Sequence, residues 1–401
     1  MLRRLFFHHQ RGYRSLAFVL VGLISIATYA VAVHIPDGSI PGWVLAARRN
    51  AVETAIRGQQ VLAGARQAQG LPVNPGDTFG TGLIGVASSP ITTDLGTLPS
   101  ARTSTNPVFA ASVVQMLYEA GVRPGDDVAV GMTGSFPGFD LSVFAGVEAI
   151  GAKPIVISSV GSTEYGANER TFTWPDMEKA LFDAGVIHTR SVEIAPGGTL
   201  AGTGAAIRSQ IAEASGIPVL PVLPLPQDIK FRERVYQQAA TDDGRQIAAF
   251  IDVGGAAANV GSTSNESIIT PGFSQPQWSQ YEAAHLGVVG WMALHGVPIV
   301  AMIGVQQLAK SFGIPYDPVL RPTARDLAAP PADPLALVGA LAFILALVLG
   351  CHRVGLFRVP DWELPIALRS FTLHGDHDEP EHALALARST GDHPTPTSPE
   401  R

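Results

Sequence analysis

The sequence predicts an α/β protein, a doubly wound, mostly parallel sheet flanked by two transmembrane helices. Strand-length apolar runs with little polar alternation, such as DVAVG (127–131), KPIVISS (153–159) and QIAAFIDVGG (246–255), fit strands buried on both faces. Helix-length amphipathic segments separate them, which is the rhythm of a sheet covered by helices on each side. Two uncharged runs, LAFVLVGLISIATYAVAV (16–33) and LALVGALAFILALVLGC (335–351), bracket the rest, and each nears the ~17–20 residues that cross hydrocarbon as a helix.

From the N-terminus, residues 1–15 carry Arg3, Arg4, Arg11 and Arg14 and read as a cytoplasmic end; Arg353 and Arg358 place the other end on the same side. Residues 16–33 read as an uncleaved anchor. The alternative is a cleaved signal peptide, for which Ala30-Val31-Ala32 has the small-x-small form. Residues 34–80 read as a membrane-proximal helix (42–66) and linker, and 81–320 as the extracytoplasmic α/β domain. A Pro-rich linker (321–334), the second span (335–351) and a cytoplasmic tail (352–401) rich in polar residues and expected to be disordered complete the chain. For the second run the alternative is a buried core helix.

Within the domain, GLIGVA (82–87) reads as a strand followed by the loop 88–107, and Asn106-Pro107 opens a helix that Gly121 stops. The unit then recurs: strand 127–131 with helix to Ile150, strand 153–159 with helix 174–185, strand 190–198 with helix 203–215, strand 246–255, and strand 297–303 running into GVQQLAKSFG. His285 and His295 fall on one expected helix, ten residues apart, and read as packed or solvated.

Composition excludes several classes. One cysteine, Cys351, allows no intramolecular disulfide, so an ordinary core must hold the domain together. Residues 34–333 hold 18 Lys+Arg against 26 Asp+Glu, a net of −8, which argues against nucleic acid as a partner. Neither a cofactor motif nor a metal motif is present: there is no H-E-x-x-H, Walker A loop or G-x-G-x-x-G, and His374, His377 and His382 lie in the tail without fixed geometry.

In a doubly wound sheet, ligands sit beyond the carboxyl ends of the strands, so the Gly-, Ser- and Thr-rich loops should gather on one rim. GMTGSFPG (131–138) reads as an anion or carbonyl cradle feeding a helix N-terminus, with Gly134 and Ser135 amides as donors; a plain strand-to-helix turn is the alternative. It is no nucleophile elbow, since Gly134 directly precedes Ser135. DVGGAAANVG (252–261) offers amides at Gly254 and Gly255 and a carboxylate, Asp252, either a general base or a cap of its own loop. ITTDLGTLPSARTSTNP (91–107) sets hydroxyls around Asp94 and Arg102, whose guanidinium can take a carboxylate in two hydrogen bonds. The candidate ligand contacts in these loops are Arg102, Thr103, Asn106, Gly134, Ser135, Gly161, Ser162, Tyr165, Asn168, Gly254 and Gly255. The candidate catalytic groups are Ser135, Thr92 or Thr93 as nucleophile and Glu164 or Asp252 as base.

Five stretches together carry a resemblance: I-T-T-D-L-G (91–96), R-T-S-T-N-P-V-F-A-A (102–111), G-S-F-P (134–137), S-S-V-G-S-T-E-Y-G-A-N (158–168) and G-I-P-Y-D-P (313–318). In these the chain resembles the poly-gamma-glutamate system protein family, bacterial membrane proteins of poly-gamma-glutamate synthesis and export loci that serve capsule biosynthesis. At two places it departs from the family's pattern: VAMIG (300–304) stands where a His and an Asn are usual, and Asp252 where Asn is frequent. The resemblance implies a two-pass protein of the bacterial cytoplasmic (inner) membrane, in contact with membrane lipid, with a periplasmic domain acting on poly-gamma-glutamate or its precursor. The membrane-bound synthase is the implied protein partner. Three functions remain open at this point: an accessory factor that binds the anionic polymer, an amidohydrolase or transpeptidase that acts on its gamma-amide bonds, and a structural scaffold with no ligand.

Overall fold

The structure is a computed structural model that describes residues 2–33, 35, 38, 40–198, 203–242, 244–318 and 332–354. The chain divides into two compact units, one of residues 37–331 and one combining 1–36 with 332–401.

The larger unit opens with helix α2 (Gly42–Ala68), following α1 (Leu2–Ala32) of the smaller unit. Strand β1 (Thr92–Asp94), α3 (Leu98–Ser104) and α4 (Val108–Glu119) come next, then β2 (Asp127–Met132), α5 (Pro137–Ala149) and β3 (Lys153–Ser159). Short strands β4 (Ser162–Thr163), β5 (Asn168–Glu169) and β6 (Phe172–Thr173) precede α6 (Trp174–Asp183), β7 (Glu193–Ala195), α7 (Thr203–Ala214) and α8 (Leu225–Asp242). After β8 (Ile247–Val253) come α9 (Ala257–Val260), a 3-10 turn (Thr263–Ile268), β9 (Gly272–Ser274), α10 (Gln280–Ala283), α11 (Gly287–Leu294), β10 (Ile299–Met302) and α12 (Val305–Ser311).

The central sheet has the order β7-β3-β2-β8-β10-β9, parallel except for β9, which runs antiparallel at the edge. This is the mixed, mostly parallel α/β class expected from the apolar runs. Each central strand is buried on both faces. Val128, Val130, Met132, Ile251, Val253 and Met302 join the core with α2, α4, α5 and α6, while Ala129, Ile155, Ile157, Phe250 and Ala301 join that with α8, α9 and α11. That two-sided burial is why these strands lack polar alternation.

Several elements differ from expectation. Residues 82–85 are buried, Val86 is half-buried and Ala87 exposed, and the stretch forms no strand. Their backbone is met by Tyr165, whose N–H donates to Val86 O at 2.9 Å, and by the Asn168 side chain, which donates to Val86 O at 2.7 Å and accepts from Val86 N–H at 2.9 Å. One asparagine amide thus replaces a ladder partner. Helix α2 packs into the main core through Val44, Ala47, Ala51, Ala55 and Leu62. The segment holding His285 and His295 is two helices: α10 ends at Ala283, His285 falls in the break, and His295 caps the C-terminus of α11.

In the smaller unit, helix α13 (Pro334–Arg353) starts where Asp333 accepts the Leu335 N–H at 2.8 Å and Pro334 occupies the first turn. It is long and apolar enough to cross a membrane. It is the one helix among the described residues that passes this test; α1 is continuous, but its apolar part, Leu16–Ala32, is shorter. The Pro-rich stretch 321–331, Arg358 and the tail with His374, His377 and His382 lie outside the described residues.

Candidate functional site

Strand order fixes where a site can form. Starting from β2, connections go to β3 and β7 on one side and to β8 and β10 on the other, so β2 and β8 flank the switch point at which successive loops part. The loops after these two strands meet there. A Cβ on Gly254 would strike the Thr133 hydroxyl, and one on Gly131 would strike the Asn259 side-chain amide. Gly254 and Gly255 both have positive φ (79° and 63°), which lets the chain turn tightly enough beyond β8 to bring Asn259 back over Asp252.

Asp252 is the central group. It is fully buried, and its Oδ1 accepts from Asn259 Nδ2 at 2.8 Å. Its carboxyl is pushed up to about 7, chiefly by burial; the Asn259 hydrogen bond opposes this, Glu266 adds to it, and the Gly255 amide opposes it again. Asp252 Oδ2 and Asn259 Oδ1 are buried without a hydrogen-bond partner among the described residues. Glu266, half-buried on the 3-10 turn, lies where a Cβ on Gly255 would be, and its carboxyl is raised by burial and by repulsion from Asp94.

The other loops close around this point. Gly134 N–H donates to Gly161 O at 3.0 Å, Ser162 Oγ donates to Gly134 O at 2.8 Å, and Thr163 N–H donates to Ser135 Oγ at 3.3 Å. Thr93 Oγ1 donates to Ser162 O at 3.1 Å, and β1 pairs in parallel with β4. The loops after β2, β3 and β8 and the β1 segment therefore converge at one end of the sheet, as the rim argument requires.

No family model, no curated protein and no solved structure matches this chain.

The convergence brings together Ser135, Thr93, Gly134, Gly161, Ser162, Glu164, Gly254 and Gly255, but their chemistry differs from an anion cradle. The two amides expected to be donors are engaged within the fold: that of Gly134 on Gly161 O, and that of Ser135 on Thr133 Oγ1 at 3.2 Å. Thr92 Oγ1 receives the Ser89 N–H at 2.9 Å and Asn168 Nδ2 at 3.0 Å, so it serves as a hinge of the loop. Asn168 is the staple that holds residues 86 and 92. Tyr165 adopts φ 62°, which directs its amide to Val86. Glu164 Oε2 accepts the Gly96 N–H at 3.3 Å. No hydrogen bond joins Ser135 Oγ to a carboxylate among the described residues.

Arg102 is committed elsewhere. Its Nη1 pairs with Asp317 at 2.9 Å and its Nε donates to Gly76 O at 3.1 Å, while Thr103 Oγ1 accepts the Asp317 N–H at 2.8 Å. Asn106 Oδ1 accepts the Val108 N–H at 3.0 Å at the start of α4. Arg102 and Thr103 thus tie α3 to the 313–318 segment, while Asn106 serves the start of α4.

Sequence reasoning missed Thr133, Glu266 and Arg208. Arg208, 4% exposed, donates to Gly197 O at 2.9 Å beside the Gly197–Gly198 turn, which also touches Thr93 and Gly161. Glu266 sits in an unremarkable polar stretch, and only the packing of its carboxylate over a side-chain-free Gly255 marks it.

Proposed function

We propose that the chain is a membrane-anchored, extracytoplasmic accessory protein of poly-gamma-glutamate synthesis or export, two-pass in the bacterial cytoplasmic membrane, that engages the polymer at the β2/β8 crevice. One observation carries this reading. The five stretches of resemblance, spread from residue 91 to residue 318, pair with one another in the larger unit: Thr93 on Ser162, Gly134 on Gly161 and Thr163 on Ser135 at the rim, and Asp317 on Arg102 and Thr103. A loop cluster built at a topological switch point is where an α/β sheet receives a ligand. The membrane-bound synthase is the partner that such an anchored domain would meet.

Full-length protein in detergent micelles should bind a gamma-linked glutamate oligomer saturably and should prefer it to the alpha-linked oligomer of equal length. Equal binding of both, or of neither, overturns the assignment.

Asp252 favours a second reading, an amidohydrolase or transpeptidase of gamma-amide bonds, because a buried carboxyl raised to about 7 exchanges protons near neutral pH. Polymer incubated with the protein should then shorten or exchange strands, and Asp252→Asn should stop it. Unchanged chain length with the wild-type protein removes this reading.

A further inference from the structure

With Asp252 ionised, the hydrogen-bonding capacity left open beside it is that of acceptors. Asp252 Oδ2 and Asn259 Oδ1 are acceptors, fully buried and without a donor among the described residues. The Glu266 carboxylate lies against Gly255 within electrostatic reach of Asp252, and Asp94 lies within reach of Glu266. Three neighbouring N–H donors are occupied, Gly134 N–H by Gly161 O, Ser135 N–H by Thr133 Oγ1 and Asn259 Nδ2 by Asp252 Oδ1, and the Gly255 amide bears on the Asp252 carboxyl. Such a cluster repels a carboxylate and suits a cation that brings its own N–H groups.

Among the described residues no three His, Cys, Asp or Glu side chains come close enough together to hold a metal ion. A primary ammonium carries three donors and needs three acceptors at hydrogen-bond distance, with one or two of them charged. We propose that Asp252 Oδ2, Asn259 Oδ1 and the Glu266 carboxylate form a seat for a primary ammonium group, that of the amino terminus of a gamma-linked glutamyl chain. The identity of the chain rests on the function proposed above; the ammonium seat does not.

The consequence is recognition of an end. Every unit of the polymer bears a carboxylate, that of the terminal unit on the same carbon as its ammonium, but a linear gamma-linked chain has one free amino terminus, so an acidic seat that takes the ammonium selects that terminus. Glu266 stands on a short 3-10 turn, half-buried, with its carboxylate packed over Gly255.

The test is calorimetric binding to the full-length protein in detergent micelles, using a gamma-linked glutamate oligomer with a free amino terminus, the same oligomer N-acetylated, and n-butylamine. Acetylation should weaken binding about tenfold or more, the usual loss for a charged hydrogen-bonded group. That preference should vanish in Asp252→Asn and in Glu266→Gln. The second variant changes a half-buried surface carboxyl, so it reports even if the first fails to fold. Equal binding of free and acetylated oligomers overturns the seat while leaving polymer binding intact. Butylamine binding that depends on Glu266, with neither oligomer bound, supports the seat and overturns its polymer ligand. A free-amine preference that survives in both variants, or no binding of any probe, overturns the seat.

Discussion

Gly131 explains at the residue scale why Asp252 is where it is. Gly131 pairs with Asp252 across β2 and β8, and its missing side chain makes room for the Asn259 amide that clamps the carboxylate. Gly131→Ala should displace Asn259 and leave Asp252 without its side-chain hydrogen bond, lowering stability by about 1–3 kcal/mol in a urea titration. A second buried acid behaves differently. Asp140, in the first turn of α5, is fully buried with neither oxygen hydrogen-bonded, and its carboxyl is held well above the usual range by burial and then by the nearby Glu178, itself raised mainly by burial. The unfolded chain ionises first as pH rises, so stability falls from the ordinary carboxyl pKa up to the raised folded value. Asp140→Asn should therefore make the protein more stable at neutral pH and flatten the decline of its melting temperature as pH rises above the ordinary aspartate value of about 4; an unchanged pH profile would remove Asp140 as the source.

Packing between elements sets which parts of the sequence pattern were readable. The α4 and α5 helices approach closely at Gly146, where a Cβ would lie 2.6 Å from Val113 Cγ1. Gly146→Val should push the two helices apart and cost about 1–3 kcal/mol, read as a lower melting temperature with unchanged far-ultraviolet circular dichroism. Strands β2, β3, β8 and β10 were legible because burial on both faces leaves an uninterrupted apolar run. The segment 82–87 carries the same signal without being a strand, since an asparagine side chain and a loop backbone satisfy its polar groups. Helix α8 was not legible as part of the site's support, because its charged surface hides Tyr236, whose hydroxyl donates to Val130 O at 2.8 Å from within the second core. β9 is three residues long and antiparallel, too short to produce a period.

For the whole molecule, the division into two units has a direct consequence. Residues 37–331 contain both apolar clusters that sandwich the sheet, together with every group of the candidate crevice. A fragment of these residues should fold as an independent, cooperatively melting protein in detergent-free buffer; a non-cooperative or aggregating product would show that the helical unit is needed for its stability. The acidic character of the 34–333 region belongs to the same scale. A net of −8 lowers nonspecific attraction to polyanions, so any grip on an acidic polymer must come from a localised contact.

By itself the sequence determined the α/β class, the strands at the sheet's centre, the helix Pro334–Arg353 that can cross a membrane, and the residues whose loops meet at the rim. These follow from hydrophobic period, glycine placement and capping, which act over a few neighbouring residues. Tertiary structure alone decided what the rim offers a ligand. Whether an amide or a guanidinium is available depends on which distant group reaches it first: Gly161 O took the Gly134 amide, Asp317 and Gly76 took Arg102, and Asn259 folded back on Asp252. Those pairings join residues separated by 27, 215, 26 and 7 positions, and a hydrogen bond across such gaps is set by the packed backbone, which no local pattern encodes.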